Sequence, residues 1–98
     1  MIELHVIIKG IGGLRLNEQI HVNVDENSVL SSILERILAH MPELTEYIDK
    51  VRLRPKPGIL VLINNIDYNI ISNTSIRDFL ETKNKKINIT IIPVNHGG

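Results

Sequence analysis

The last eight residues of the sequence, IIPVNHGG, carry its most distinctive chemical group. Gly97 and Gly98 follow an apolar run, a proline and an Asn-His pair. Because glycine lacks a Cβ atom, such an ending forms a thin peptide that can enter a narrow enzyme tunnel and present an unhindered carboxylate. Attack of that carboxylate on the α-phosphate of ATP would give a mixed anhydride that sulfur or amine nucleophiles can open. The simpler alternative is a disordered terminus of the kind that most proteins have.

A second glycine-rich segment, GIGG at residues 10–13, invites a comparison with phosphate-binding loops. A P-loop ends in Gly-Lys-Ser/Thr and opens a helix, whereas Leu-Arg-Leu follows these glycines. The better interpretation is a hairpin loop whose backbone requires positive φ angles.

Independent catalysis and metal binding have little support in the sequence. The chain has no cysteine, which excludes disulfides, thiolate ligands and thiol catalysis. Four histidines lie on different predicted elements without metal-ligand spacing, namely His5, His21, His40 and His96. No serine lies in a recognisable triad pattern. We therefore expect no catalytic residues, no metal, no bound cofactor, and a protein that is the substrate of an enzyme.

A basic segment, RLRPKPG, lies in the long polar connection at residues 43–58. Arg52, Arg54 and Lys56 alternate there with a leucine and two prolines, which keep the segment extended. This cluster could contact an acidic partner or RNA. A solvated loop that leads into a strand is the simpler interpretation.

Composition restricts the class of protein. The 98 residues form one domain, and 43% apolar with 22% charged residues is typical of a globular chain. The formal net charge of zero argues against direct nucleic-acid binding and against a membrane-surface binder. The longest apolar run, residues 59–63, is too short to cross a bilayer. Met1 leads directly into an alternating pattern without a signal peptide, so we expect a cytoplasmic location.

The first half of the sequence predicts a hairpin followed by a helix. Apolar and polar residues alternate over residues 2–8, and a second strand is predicted at residues 20–24. Spacings of three and four then place one apolar face on a helix, formed by Leu30, Ile33, Leu34, Ile37, Leu38 and Met41. Ser28 is the predicted N-cap, and Pro42 ends the helix near His40.

The second half predicts strands joined by short turns. Residues 59–63 are apolar on both faces, as in an inner strand. Asn64 and Asn65 tolerate left-handed conformations and predict a tight hairpin turn into a short strand at residues 66–68. A weak capping signal predicts a short helical turn at residues 75–80.

The final strand completes the predicted fold. It alternates from Ile87 and ends near Ile92, where Pro93 is expected to terminate its pairing. The right-handed crossover rule places this strand beside the first one, in parallel, at the sheet centre. The expected fold is therefore α+β, a ubiquitin-like β-grasp with one main helix across a mixed sheet. Its expected bounds are residues 1–93, followed by a flexible diglycine tail at residues 94–98.

One stretch of the second half resembles the ubiquitin-related modifier family of sulfur carriers. It is RPKPGILVLINNIDYNI, residues 54–70, taken together with the terminal HGG. Members of that family typically show an Arg-Pro-Gly stretch, a strand similar to VLIND, an Asp-Trp pair and a His-Gly-Gly ending. The corresponding segments here are residues 57–58, 62–65, 67–68 and 96–98. The resemblance spans essentially the whole chain and is sharpest in its second half.

The resemblance implies a carrier that is activated at Gly98. An E1-like adenylating enzyme and sulfurtransferase would use ATP to adenylate the carboxylate, and a thiocarboxylate would then form. Its sulfur would go to the wobble uridine of certain tRNAs through a tRNA-thiolation enzyme. The same carboxyl end could join lysines of target proteins. Two alternatives remain open: the sulfur-donating small subunit of molybdopterin synthase, and a non-reactive β-grasp interaction module.

Residues next to the diglycine are candidates for enzyme contact. We expect Val94, Asn95 and His96 to dock in the tunnel of the activating enzyme. Ile92, an apolar residue near the tail, is the predicted contact between that enzyme and the globular body.

Overall fold

This computed structural model describes residues 1–10, 12–80 and 85–94 of the chain. Within them lie seven strands, two α-helices and two 3₁₀ helices. Their order is β1 (Ile2–Gly10), β2 (Gly13–Val22), α1 (Ser31–His40), a 3₁₀ helix (Pro42–Glu46), β3 (Ile48–Asp49), β4 (Arg54–Pro55), β5 (Ile59–Ile63), β6 (Ile66–Asp67), α2 (Tyr68–Ile71), a second 3₁₀ helix (Ile76–Phe79) and β7 (Lys86–Pro93).

The last strand lies in the middle of the main sheet. Five strands pair in the order β2-β1-β7-β5-β6, and β3 with β4 forms a separate two-stranded ribbon. Strand β7 is parallel to β1 and antiparallel to β5. The predicted central and parallel position of the last strand is confirmed. The predicted ubiquitin-like β-grasp arrangement, with one main helix on a mixed sheet, is confirmed with it.

The core lies between α1 and one face of the sheet. Alternate residues of β1 and β7 and the apolar face of α1 supply most of it. These residues are Ile2, Leu4, Val6, Ile8, Ile33, Leu34, Ile37, Ile87, Ile89 and Ile91, all at most 4% exposed. Each such side chain contributes roughly 1.5–3 kcal/mol through burial. This burial fixes the strand register, since a slip by one residue would turn the whole set outward.

Helix α1 begins later than the sequence suggested, so the prediction that Ser28 is its N-cap is wrong. The N-cap position is Leu30, and no side chain caps it. Backbone carbonyls of a neighbouring segment accept from the first N–H groups instead. Leu30 N–H donates to Thr74 C=O at 2.9 Å, and Ser31 N–H donates to Ser72 C=O at 3.2 Å. Because these contacts satisfy the helix end, a side-chain cap is unnecessary. The predicted helix end at His40 is confirmed.

The first hairpin is longer on its second side than predicted. Strand β2 starts at Gly13, whose φ of +109° supports the predicted hairpin loop, and continues to Val22. The sequence prediction began only at residue 20. The early part of β2 is polar and mostly exposed, and β2 lies at the edge of the five described strands, next to β1. Its pairing with β1 therefore extends where hydrophobic alternation gives no signal.

The hairpin turn between β5 and β6 has the predicted form. Asn64 and Asn65 adopt φ angles of +48° and +69°, as a type I′ turn requires. The following strand is shorter than predicted, because Asp67 accepts a hydrogen bond from Asn69 N–H at 2.9 Å and starts α2. Tyr68 is therefore a helical residue and is buried in the core.

Burial of Tyr68 makes the stability sensitive to alkaline pH. The side chain is 1% exposed, and its hydroxyl donates to Leu53 C=O at 2.7 Å. Burial raises the pKa of Tyr68 to about 12. In the unfolded chain tyrosine ionises near pH ~10. The unfolded state therefore loses its proton first, and the free energy of unfolding falls as the pH rises from about 10 towards 12.

We expect the urea midpoint of unfolding to fall over this alkaline window, and to fall less in Tyr68→Phe. At neutral pH that variant should lose about 1–2 kcal/mol of stability, because Leu53 C=O loses its donor. Tyr47→Phe is the control for removal of a tyrosine elsewhere. An equal alkaline loss in the wild type and in Tyr68→Phe would contradict this assignment.

Candidate functional site

The structure describes the C-terminal segment as far as Val94. The predicted reactive residues, Gly97 and Gly98, lie outside the described residues. The predicted tail-docking residues Asn95 and His96 lie outside them as well. The part of the candidate site that can be built is therefore the end of β7 and its surroundings.

Backbone contacts with the globular body fix the position of the chain as far as Val94, where the tail begins. Pro93 pairs with Ile59, and Val94 N–H donates to Gly58 C=O at 2.7 Å. Strand β7 ends at Pro93, so the prediction that its pairing terminates there is confirmed. Proline has no N–H of its own, and the N–H of Val94 bonds Gly58, the residue just before β5. The side chain of Val94 is 40% exposed. The tail thus leaves the body from a backbone position that is fixed by a hydrogen bond.

The face of the sheet opposite α1 carries an apolar patch. Ile92 lies opposite Leu60, and Thr90 lies between Ile7 and Leu62. Directly opposed residues project from the same face of a sheet. All five side chains are half-buried, and none belongs to the core cluster or to the residues packed against it. We call these five residues the open-face patch. It lies on the strand that leads into the tail.

The sequence predicted only one member of the open-face patch. Ile92 is half-buried rather than fully buried, so it remains accessible to a partner. The apolar run at residues 59–63 predicts burial on both faces, so the sequence does not indicate Leu60 and Leu62 as contact residues. A signal was available, since a single predicted helix can cover only one face of a sheet. Alternate residues of that apolar strand must then face outward.

The described residues form no cluster of metal ligands. Within them, no three His, Asp or Glu side chains are grouped so that they could hold a metal ion. Two histidines make contacts across the first hairpin, His5 with Asn17 and His21 with Glu3.

None of the helices in residues 1–10, 12–80 and 85–94 has the length and apolar character needed to cross a membrane.

The sheet order and the tail-bearing central strand define a ubiquitin-like β-grasp protein. The profile of the family described as Urm1 (Ubiquitin related modifier) matches residues 6–98. The chain therefore belongs to the ubiquitin-related modifier family, as the sequence resemblance predicted.

The solution structure of the Haloferax volcanii HVO 2177 protein is similar in fold. The TM-score is 0.50 at 14% identity, over 98% of this chain and 88% of that chain. A comparison with curated proteins gave no match.

Family membership gives the general function. The family consists of ubiquitin-like modifiers and sulfur carriers, so this chain is in general terms a ubiquitin-like carrier. It also implies an E1-like activating enzyme as a partner.

Proposed function

We propose that the carboxylate of Gly98 is the reactive group of a sulfur carrier and protein modifier. In an E1-like enzyme a carboxylate oxygen attacks the α-phosphorus of ATP and releases pyrophosphate. A sulfur nucleophile then displaces AMP and leaves a thiocarboxylate on Gly98. The sulfur passes to the wobble uridine of certain tRNAs, or the activated carboxyl group joins a lysine of a target protein. ATP is used by the enzyme, and this chain binds no cofactor.

One observation carries the proposal: the family match extends over residues 6–98 and so includes the diglycine. The arrangement at the end of β7 supports it. Val94 is tied to Gly58 through its backbone, so the chain beyond it starts from a fixed point on the body. An enzyme that grips the body therefore restricts where the carboxylate can lie, which lowers the entropic cost of placing it against ATP.

Two contacts with the activating enzyme follow from this arrangement. The open-face patch supplies the contact on the body. Ile92 is its most important residue, because it lies at the end of β7 that leads to the tail. Val94, Asn95 and His96 supply the contact along the tail. Apolar side chains that remain partly accessible on an outer sheet face are candidates for protein contact.

Intact mass spectrometry tests the carrier chemistry. The full chain is incubated with ATP, a sulfide source and the E1-like enzyme of the same host. We expect a mass gain equal to the exchange of one oxygen for one sulfur. A chain that lacks Gly98 is the control and should not change. Absence of the gain, with an enzyme that is active on a known substrate, would favour a passive interaction module.

A further inference from the structure

Positive charge is concentrated on the ribbon formed by β3 and β4. Lys50, Arg52, Arg54 and Lys56 lie within seven positions, and Asp49 is the one acidic residue of the segment 49–58. The rest of the chain then holds seven of the 11 basic residues and ten of the 11 acidic ones. A chain with no net charge therefore presents one clearly basic region.

The cations of this ribbon are available for binding. Arg52, Arg54 and Lys56 are exposed, and none of them forms an ion pair with another described residue. Asp49 is engaged in the turn itself. Its carboxylate accepts from Val51 N–H at 2.9 Å and from Arg52 N–H at 3.1 Å. The hydrogen bonds from Arg52 and Val51 hold the pKa of Asp49 below its usual value.

These cations line a groove that includes Gly58, the residue hydrogen-bonded to Val94. The groove has a volume of about 830 Å³, and we call it the basic groove. It is lined by Arg52, Arg54, Lys56, Asn69, Ser72 and Asn73, among others. Gly58 also lines it, and the carbonyl of Gly58 accepts from Val94 N–H. Sites for small organic ligands are mostly apolar, whereas this lining is charged and polar.

A strained residue fixes the positions of the two arginines. Leu53 lies between them with a φ of +52°, a left-handed conformation that is unfavourable for a residue other than glycine. Its side chain packs against the core, and its carbonyl accepts from the Tyr68 hydroxyl. These contacts hold the ribbon in place, so less ordering is required when a ligand binds.

We propose that the basic groove binds an extended acidic segment of a protein partner. Arginine presents a planar fork of N–H donors that matches the two oxygens of a carboxylate. Asn69, Asn73 and Ser72 supply amides and a hydroxyl that can bond the main chain of an extended peptide. This binding requires no activation of Gly98, so the inference does not depend on the proposed function.

A strand of RNA suits the basic groove less well. Proteins hold single-stranded nucleic acid largely by stacking bases on accessible aromatic side chains. The aromatic residue of this groove is Tyr68, which is 1% exposed and cannot stack.

Titration of the ¹⁵N-labelled full chain tests the proposal. The probes are a short glutamate-rich peptide, a glutamine-rich peptide of the same length, and oligouridine. We expect the glutamate peptide to shift backbone amides of residues 49–58 and 69–73, and the glutamine peptide to shift none. Added salt should weaken the binding, because exposed charges are screened.

Charge reversal provides the matched comparison. Arg52→Glu combined with Arg54→Glu should weaken the glutamate peptide at least tenfold, and the two corresponding glutamine substitutions should weaken it less. Lys9→Glu with Arg15→Glu makes the same charge change on the exposed first hairpin and should have less than a twofold effect. The proposal is overturned if the glutamate peptide does not bind, if both peptides shift the same amides, if the control pair loses as much, or if oligouridine binds more tightly.

Discussion

Ile92→Asp is expected to lower kcat/KM for adenylation by the E1-like enzyme by about 100-fold, while the body stays folded. A central apolar contact in a protein interface typically contributes about 2–4 kcal/mol, and each 1.4 kcal/mol corresponds to about tenfold in rate. The new carboxylate would lie opposite Leu60 and would have to lose its water when the enzyme covers the open-face patch. Pyrophosphate release measures the rate, and thermal unfolding verifies the fold.

A second aspartate on the same strand is the control for this prediction. Asn88 is exposed and projects from the same face of β7, outside the open-face patch. Asn88→Asp should change kcat/KM by less than threefold. Val94→Asp probes the tail contact separately, because Val94 lies beyond the sheet and is 40% exposed. Wild-type rates for a folded Ile92→Asp variant would remove the open-face patch from the proposed function.

Asn64→Ala is expected to cost about 2–4 kcal/mol of stability, which is a large fraction of the total for a domain of this size. The side chain of Asn64 donates from Nδ2 to Phe79 C=O at 2.9 Å, and its Oδ1 accepts from Asn88 N–H at 2.9 Å. It therefore continues the pairing of β5 with β7 and also holds the second 3₁₀ helix. Loss of two hydrogen bonds costs about 1 kcal/mol each. The positive φ adds about 1 kcal/mol when alanine replaces asparagine.

Asn65→Ala separates these contributions. Asn65 shares the turn and has a positive φ, but its side chain is exposed. This variant should lose about 1 kcal/mol, which is the backbone part alone. Urea unfolding at neutral pH measures both variants. Equal losses would mean that the two hydrogen bonds of Asn64 contribute nothing measurable.

The topology could be predicted from the sequence because its signals are periodic and local. Alternation in β1 and β7, the helical spacing from Leu30 and the Asn-Asn turn each indicate one element. The crossover rule then leaves few ways to arrange these elements. The family resemblance was carried by residues 57–68 and the ending, and it supplied what periodicity could not: the chemistry expected at Gly98.

The errors arose where distant segments decide local structure. Ser28 has the right type for an N-cap, but carbonyls of residues 72 and 74 already satisfy the helix end. The polar start of β2 pairs because β1 lies beside it, not because of its own pattern. The sequence indicates the basic segment of the groove, but not residues 69–73, which complete it. Such contacts join segments that are distant in sequence, so no local pattern indicates them.

The central position of β7 has a consequence for synthesis of the protein on the ribosome. Glu3 pairs with Lys86, 83 positions later. Strand β1 therefore lacks its second neighbouring strand until almost the whole domain has been synthesised. Contacts between such distant segments form late and slow the folding of a domain. A nascent chain that stops before β7 would leave β1 and β5 with unpaired edges, which favour aggregation and degradation. Completion of the fold is thereby coupled to synthesis of the strand from which the tail extends, so prematurely terminated chains would be removed before they reach a partner.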